Sequence, residues 1–368
     1  MGRPFGKMPT KTGQSRLPAT GIWGSHMKPL FQIPRQNIAP SGLPLPKAPN
    51  DRIAVILPCY RVKAHVLSVI NSIGQEVDAI YAVDDGCPQG SGKEIEENCK
   101  DPRVRVLYHD KNQGVGSATL TGYLRAFEEG ATILVKVDGD GQMDPRLIPD
   151  FVAPILLGYA DYTKGNRFFN PANVITMPWV RLIGNAALSF LSKFSSGYWS
   201  IFDPTNGYTA MHASLLNFLP IHSISPRYFF ESDMLLHLYL LRAVVVDVPM
   251  AAVYGNETSN LWISRILREF LVNHLANSLR RIFFCYVLRD FSVASLHLLL
   301  GSVLFAFGSV FGIVKWHQSI VMNSYASSGT VILAALPIIL GMQLLLAFFS
   351  YDIMNEPRQP VHTMLAWR

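Results

Sequence analysis

Ile133-Leu-Val-Lys-Val-Asp-Gly-Asp-Gly-Gln142 is a short aliphatic run that stops on two aspartates one residue apart. A run of that length and β-branched character reads as a buried strand, and Gly139 and Gly141 supply the turn that ends it. The same grammar recurs upstream. Ile53-Ala-Val-Ile-Leu57 runs into Pro58-Cys-Tyr60, Ala79-Ile-Tyr-Ala-Val83 runs into Asp84-Asp85-Gly86, and Val104-Arg-Val-Leu107 follows after another helical stretch. Strands alternating with longer helical patterns predict βαβ units and a mostly parallel sheet, an α/β fold. Ligands of open α/β sheets sit beyond the carboxyl ends of the strands, so the three polar clusters are expected to converge on one crevice.

Further along, the pattern predicts a helix around Met177 to Phe194, a loop Asp203-Pro-Thr-Asn-Gly-Tyr208, a helix from Phe230 to Leu241 and a strand from Ala243 to Val248. Apolar residues then recur at Ile263, Ile266, Leu267, Phe270, Leu271, Leu275, Leu279, Ile282 and Phe283, with arginines expected on the other side. Such a segment suits the inner surface of a membrane. The chain is 49% hydrophobic and only 16% charged, too apolar for an ordinary soluble enzyme. Phe291 to Val314 holds no ionisable residue except His297, and Thr330 to Ser350 holds none. Each is long enough to cross roughly 30 Å of hydrocarbon, which predicts two membrane spans. Arg265, Arg268, Arg280, Arg281 and Arg289 precede the first span, whereas Lys315 to Gly329 carries a single lysine. The large N-terminal part and the C-terminal tail are therefore expected on the cytoplasmic side of an integral membrane protein. The predicted division is an arm over 1–50, an α/β domain over 51–260, juxtamembrane helices over 261–290, a two-helix anchor over 291–350 and a tail over 351–368. The proline-rich arm contains Gly24-Ser-His-Met27, which has the form of a tag remnant, and it lacks a signal peptide's apolar core. The four cysteines follow neither zinc-site nor disulfide spacing. The net charge of +6 gathers near the membrane, pointing to anionic lipid rather than nucleic acid.

Asp138 and Asp140 put two carboxylates on one tight turn where they can reach a hard cation, Mg²⁺ or Mn²⁺, and Gln142 adds a carbonyl oxygen. Taken alone, this string is equally a surface turn. Asp84 and Asp85 offer acceptors for a nucleobase or ribose, or alternatively cap a helix. Asn112-Gln-Gly114-Val-Gly116-Ser-Ala118 opens a helix with small residues that let backbone approach a phosphate or sugar.

The run from Arg52 to about Leu261 resembles the family 2 glycosyltransferases of GT-A fold, particularly the polyprenyl-phosphate and dolichyl-phosphate sugar synthases. The matching marks are Val55-Ile-Leu-Pro-Cys-Tyr60, Val83-Asp-Asp-Gly86, Asn112-Gln-Gly114, Asp138-Gly-Asp-Gly-Gln142, Lys164-Gly-Asn-Arg-Phe168, Asp203-Pro-Thr-Asn-Gly207, Phe230-Glu-Ser-Asp233, and Val248-Pro-Met250 followed by Tyr254-Gly255. The resemblance implies that Pro58, Tyr60, Asp84, Asp85, Gly114 and Asp138 line the nucleotide-sugar pocket. It also implies that Asp138, Asp140 and Gln142 hold metal and diphosphate. Arg167 and Arg181 match cations that receive phosphate groups of donor and acceptor. A UDP- or GDP-hexose donor, a polyprenyl phosphate acceptor and inversion at the anomeric carbon follow from the same likeness; self-association is left open. A lipid phosphate is largely dianionic near neutral pH and needs no general base, whereas a hydroxyl acceptor would, with Glu231 or Asp233 as candidates. The acceptor loop of dolichyl-phosphate mannose synthases carries a Ser-Lys pair, but Asn260 stands nearest the lysine here. Either Arg280 or Arg281 receives the lipid phosphate, or the acceptor differs. Other readings are a polysaccharide synthase, which usually has more spans, and a non-catalytic nucleotide-sugar-binding membrane protein.

Overall fold

The computed structural model describes residues 45–169, 179–251 and 263–365, all within the compact unit Ala39–Arg368. Seven strands form one sheet: β1 (Ile53–Cys59), β2 (Ala79–Asp84), β3 (Val104–Tyr108), β4 (Ile133–Lys136), β5 (Tyr162–Asn166), β6 (Thr209–His212) and β7 (Val245–Pro249). Their order is β3-β2-β1-β4-β6-β5-β7. All pairings are parallel except those of β6, which runs antiparallel to both β4 and β5. Crossovers are made by α1 (Val66–Asn71), α2 (Ser91–Asn98), α3 (Val115–Glu128) and α4 (Ile148–Leu156). Successive residues of a strand face opposite sides of a sheet. Accordingly Ile53, Val55 and Leu57 pack into one core layer with Ile70 and Phe151, while Ala54 and Ile56 pack into the other with Ala118 and Leu238. Helix α3 lies close because Gly122 faces Ile56; a Cβ there would meet Ile56 Cγ2 at 2.5 Å.

The β5 and β6 strands depart from the expected text. Thr209-Ala-Met-His212 was read within no strand, yet Lys136 to Ile133 pair with it in register, so the loop Asp203–Tyr208 leads directly into the sheet. The last strand begins at Val245 and runs to Pro249, displaced from the expected 243–248.

Helix α5 (Trp179–Ser196) and α6 (Phe230–Leu240) pack beside α7 (Ile263–Phe283), which passes through a π-helical turn at Phe284–Arg289. The expected amphipathic helix therefore exists, but its two faces are reversed relative to a soluble helix. His274, Asn277, Ser278 and Arg281 are buried, whereas Leu271, Val272, Leu275, Leu279 and Phe283 are each more than half exposed. The arginines do not share one side either, because Arg281 points inward and Arg280 outward. Such an outward apolar stripe needs an apolar environment.

Two helices follow that are long and apolar enough to cross a membrane, α8 (Val293–Val321) and α9 (Ser328–Met354). The first begins just inside the expected Phe291 but runs past Val314, the second extends past Thr330 and Ser350 at both ends, and Lys315 falls inside α8 rather than in the connection. Their contact is close because Gly301, Gly308 and Gly341 line it; a Cβ on Gly341 would meet Phe305 N at 2.6 Å. Small residues of this kind let apolar helices approach backbone to backbone. A short helix, α10 (Val361–Leu365), then returns to the sheet, where Asp161 accepts hydrogen bonds from Val361 N (2.9 Å), His362 N (2.8 Å) and His362 Nδ1 (2.7 Å).

Candidate active site

The carboxyl ends of β2, β1 and β4 lie side by side at one edge of the sheet, and the group that ties together the residues beyond β4 is a lysine. Lys136, the last residue of β4, has a fully buried ammonium. Its Nζ donates to Asp138 Oδ1 (2.7 Å), Gly207 O (3.2 Å) and Glu231 Oε1 (3.4 Å). Burial pulls its pKa down, but Asp138 and Glu231 outweigh that and hold it raised, so the lysine stays charged. Gly207 is required beside it, since a Cβ there would lie 2.5 Å from Lys136 Nζ and 2.7 Å from Asp138 Oδ2. Beyond Asp138 the chain turns at Gly141, in the left-handed region at φ +80°, and Asp140 Oδ1 accepts from Gln142 N at 2.9 Å. Asp138, Asp140 and Gln142 thus share one turn, with the Asp138 side chain 29% exposed. Among the described residues no group of three or more His, Cys, Asp or Glu gathers as a metal cage.

The loop Asp203–Tyr208 ties a second set of groups to this lysine. Arg167 forks onto Asp203, with Nε to Oδ2 and Nη2 to Oδ1 both at 2.7 Å. Burial would raise the Asp203 pKa, but the Arg167 hydrogen bonds and charge prevail and hold it below the usual carboxylate range. Asn206 Nδ2 donates to Asp203, and Asn206 O receives the buried Lys164 ammonium. Burial lowers Lys164 to about 8, only partly offset by Asp203, Glu231 and Asp247. Asp247 on β7 is pushed up to about 7 by burial, although Phe202 N (2.9 Å) and Asn166 Nδ2 (2.9 Å) donate to it. Arg167, Glu231 and Asp138 are therefore brought into one connected network by Lys136, Lys164, Asp203 and Asn206, to which the sequence gave no individual role.

At the ends of β1 and β2, Pro58 is buried and Tyr60 is 40% exposed beside it, with the Arg61 guanidinium 5.3 Å from its ring. Asp84 accepts from Cys87 N and Gly92 N, each at 2.7 Å. Asp85 accepts from His109 Nδ1, Gln113 N and Gly114 N, each at 2.8 Å. A carboxylate offers about four lone-pair directions, so these bonds leave acceptor capacity while also shaping the turns. Gly114 sits at φ +106°, and a Cβ would strike Pro226 O at 2.5 Å, which explains glycine there.

Other expected site residues are placed elsewhere. Asp233 is buried and accepts from Ser225 N (2.7 Å) and Asn277 Nδ2 (2.9 Å), joining α6 to α7. Arg281, expected to reach an acceptor phosphate, is instead fully buried against Asp352; neighbouring Arg280 is exposed. The Arg181 side chain and the segment Tyr254–Asn260 lie outside the described residues.

Comparison with known proteins bears on this arrangement. The model of glycosyl transferase family 2 matches residues 54–219. Over 216 residues the chain is 32% identical to the UDP-N-acetylglucosamine–dolichyl-phosphate N-acetylglucosaminyltransferase of Methanococcus voltae, a match covering 55% of this chain and 86% of that protein. It is 28% identical over 207 residues to the polyprenol monophosphomannose synthase of Mycolicibacterium smegmatis, covering 55% and 77%. It is 27% identical over 229 residues to the undecaprenyl-phosphate mannosyltransferase of Micrococcus luteus, covering 60% and 92%. Among solved structures, glucosyl-3-phosphoglycerate synthase of Mycobacterium tuberculosis with UDP is similar at a TM-score of 0.48 and 20% identity, covering 63% of this chain and 80% of that one. With a relative 32% identical along 86% of its length, and the family's own match on the strands that build the crevice, the chain belongs to glycosyl transferase family 2 and is a glycosyltransferase.

Proposed function

We propose that this glycosyltransferase moves a hexose from a UDP- or GDP-linked donor to a polyprenyl phosphate at the cytoplasmic face of a membrane, with inversion and with Mg²⁺ or Mn²⁺. The observation that carries the reading is the similarity to three enzymes named for transfer to dolichyl, polyprenol or undecaprenyl phosphate. Two apolar helices and an outward apolar stripe on α7 in the same chain support a lipid-soluble acceptor.

Asp138 and Asp140 suit a hard divalent ion, since their donors are oxygens and Asp138 is partly exposed, while two carboxylates are too few for a closed cage. That matches an ion completed by substrate diphosphate and water. When bound, it would supply charge neutralisation for the departing diphosphate. Lys136 orients Asp138, and Asp140 is fixed by its turn. Pro58, Tyr60, Asp84, Asp85 and Gly114 would shape the nucleotide pocket, with Arg167 and Arg181 assigned to the phosphates. The phosphate oxygen of the acceptor attacks the anomeric carbon as the bond to the nucleoside diphosphate breaks, so no proton has to be removed. Consistent with this, Glu231 and Asp233 are nearly buried and already bonded to Lys136 and to Ser225 and Asn277, a poor setting for a base. The chain is accordingly divided into a catalytic domain over 51–260, juxtamembrane helices over 261–290, an anchor over 291–350 and a tail.

The test incubates membranes containing the full chain with labelled UDP- and GDP-sugars, Mg²⁺ or Mn²⁺ and polyprenyl phosphate. Label in the organic phase is expected from one donor class; folded protein that gives none from any donor sinks the reading.

A further inference from the structure

We propose that Asp352 is a positioning residue for the transfer reaction: it clamps the end of the second apolar helix to the segment of the catalytic domain that carries Trp199 and Asp203. The inference rests on the lipid-acceptor reading above.

Asp352 stands in the last turn of α9, a helix with no other charged side chain, and its carboxylate is fully buried. Four donors converge on it. Arg281 gives Nη1 to Oδ1 at 2.5 Å and Nη2 to Oδ2 at 3.0 Å. Tyr286 OH donates to Oδ1 at 2.5 Å, and Trp199 Nε1 to Oδ2 at 2.9 Å. These donors come from α7, from the turn after it, and from the loop after α5. Arg281 Nη2 also reaches Phe194 O in the last turn of α5 at 2.9 Å.

A buried ion pair is a weak source of net stability, because desolvating both ions offsets most of their attraction; fixing one geometry is its better-attested use. Asp352 has the partners for that use. Adjacent bonds repeat the link: Ser200 N to Glu356 Oε1 at 2.6 Å and Arg242 Nη1 to Asn355 O at 2.7 Å. From Trp199 the chain passes directly to Phe202, bonded to Asp247, and to Asp203, which grips Arg167. Asn206 and Gly207, next in line, supply the carbonyls that hold Lys164 and Lys136. A change at Asp352 therefore reaches the loop that holds Arg167, Lys164 and Lys136, and through Lys136 the Asp138 carboxylate.

The clamp is tested on the full chain in lipid nanodiscs with two variants. Trp199→Phe deletes one N–H and leaves the Arg281–Asp352 pair in place, so it is the variant safest to fold; Asp352→Asn removes the charge. Hydrogen-exchange mass spectrometry is expected to show amides of 199–207 exchanging at least fivefold faster in both, with β1 and β2 unchanged. The kcat for transfer to polyprenyl phosphate is expected to fall at least fivefold, with both KM values within twofold of wild type. Unchanged exchange, or faster exchange with an unmoved kcat, overturns the proposal. If wild type forms no lipid-linked sugar, the acceptor reading falls by itself, and the exchange of 199–207 still decides whether Asp352 is a clamp.

Discussion

Lys136 is a buried cation held by two carboxylates and a carbonyl. Removing one partner of such a set leaves the others buried without compensation, which costs about 3 kcal/mol or more. Lys136→Met is nearly isosteric along its stem, so the loss would be electrostatic. It is expected to lower the melting temperature of the detergent-solubilised protein by roughly 5–10 °C; a shift smaller than the scatter of replicate melts would show that Asp138 and Glu231 do not need the cation. Asp140 belongs to the more exposed part of the turn, so its replacement separates chemistry from folding. Asp140→Asn is expected to reduce metal-dependent transfer on the order of 100-fold or more with an unchanged melting temperature. Wild-type turnover in that variant refutes the metal assignment. The aspartates were legible in the text because strand ends point at ligands. Lys136 was not, since a lysine inside an aliphatic strand acquires meaning only from Gly207 and Glu231, 71 and 95 positions away.

Helix α7 shows what periodicity can and cannot say about an element. A stripe of apolar residues was readable, but which way it faces depends on what α5 and α6 present to the other side. They present polar groups: Ser195 Oγ lies 2.7 Å from His274 Nδ1, and Asp233 accepts from Asn277. In consequence the apolar stripe is left outward. Strand β6 was missed for a related reason, because four residues ending in His212 carry no alternation long enough to register, and only pairing with β4 makes them a strand. The polar face of α7 has a pH consequence. Burial lowers His274 to about 4, and His212, beneath α10, is likewise lowered to about 4 by burial and by His362. Both imidazoles are neutral in the folded state, so their contribution is complete above about pH 6.5 and is lost as pH falls toward 4. Each shift corresponds to about 3 kcal/mol at full protonation. Stability measured by denaturation should therefore decline across this window. His274→Phe should flatten most of the decline, because Asp247, raised to about 7 by burial, takes up a proton in the folded state over the same window and opposes the histidines. An unchanged slope would mean that His274 is already solvated.

At the scale of the whole molecule, the spans were visible from hydropathy, whereas the join between them and the catalytic domain was not. Asp352 reads as an unremarkable charge at a helix end until Arg281, Tyr286 and Trp199 are brought to it from 71, 66 and 153 positions away. That join also puts the end of α9, the start of α8 and the catalytic domain on one side of the apolar hairpin, leaving the connection after Val321 on the other. Arg268, Arg280 and Arg289 are exposed on the first side, while Met322 to Ser327 carries no charge. The positive-inside rule predicts a hairpin with its connection outside the cell. A cysteine in place of the exposed Tyr325 is expected to react with a membrane-impermeant maleimide in intact cells, and one in place of Arg358 only after permeabilisation. Cys87 and Cys99, half-buried in the catalytic domain, serve as internal controls on the inner side. The reverse pattern would put the crevice on the outer face, away from cytoplasmic nucleotide-sugars, and the proposed donor would have to be abandoned even if the fold and the clamp stood.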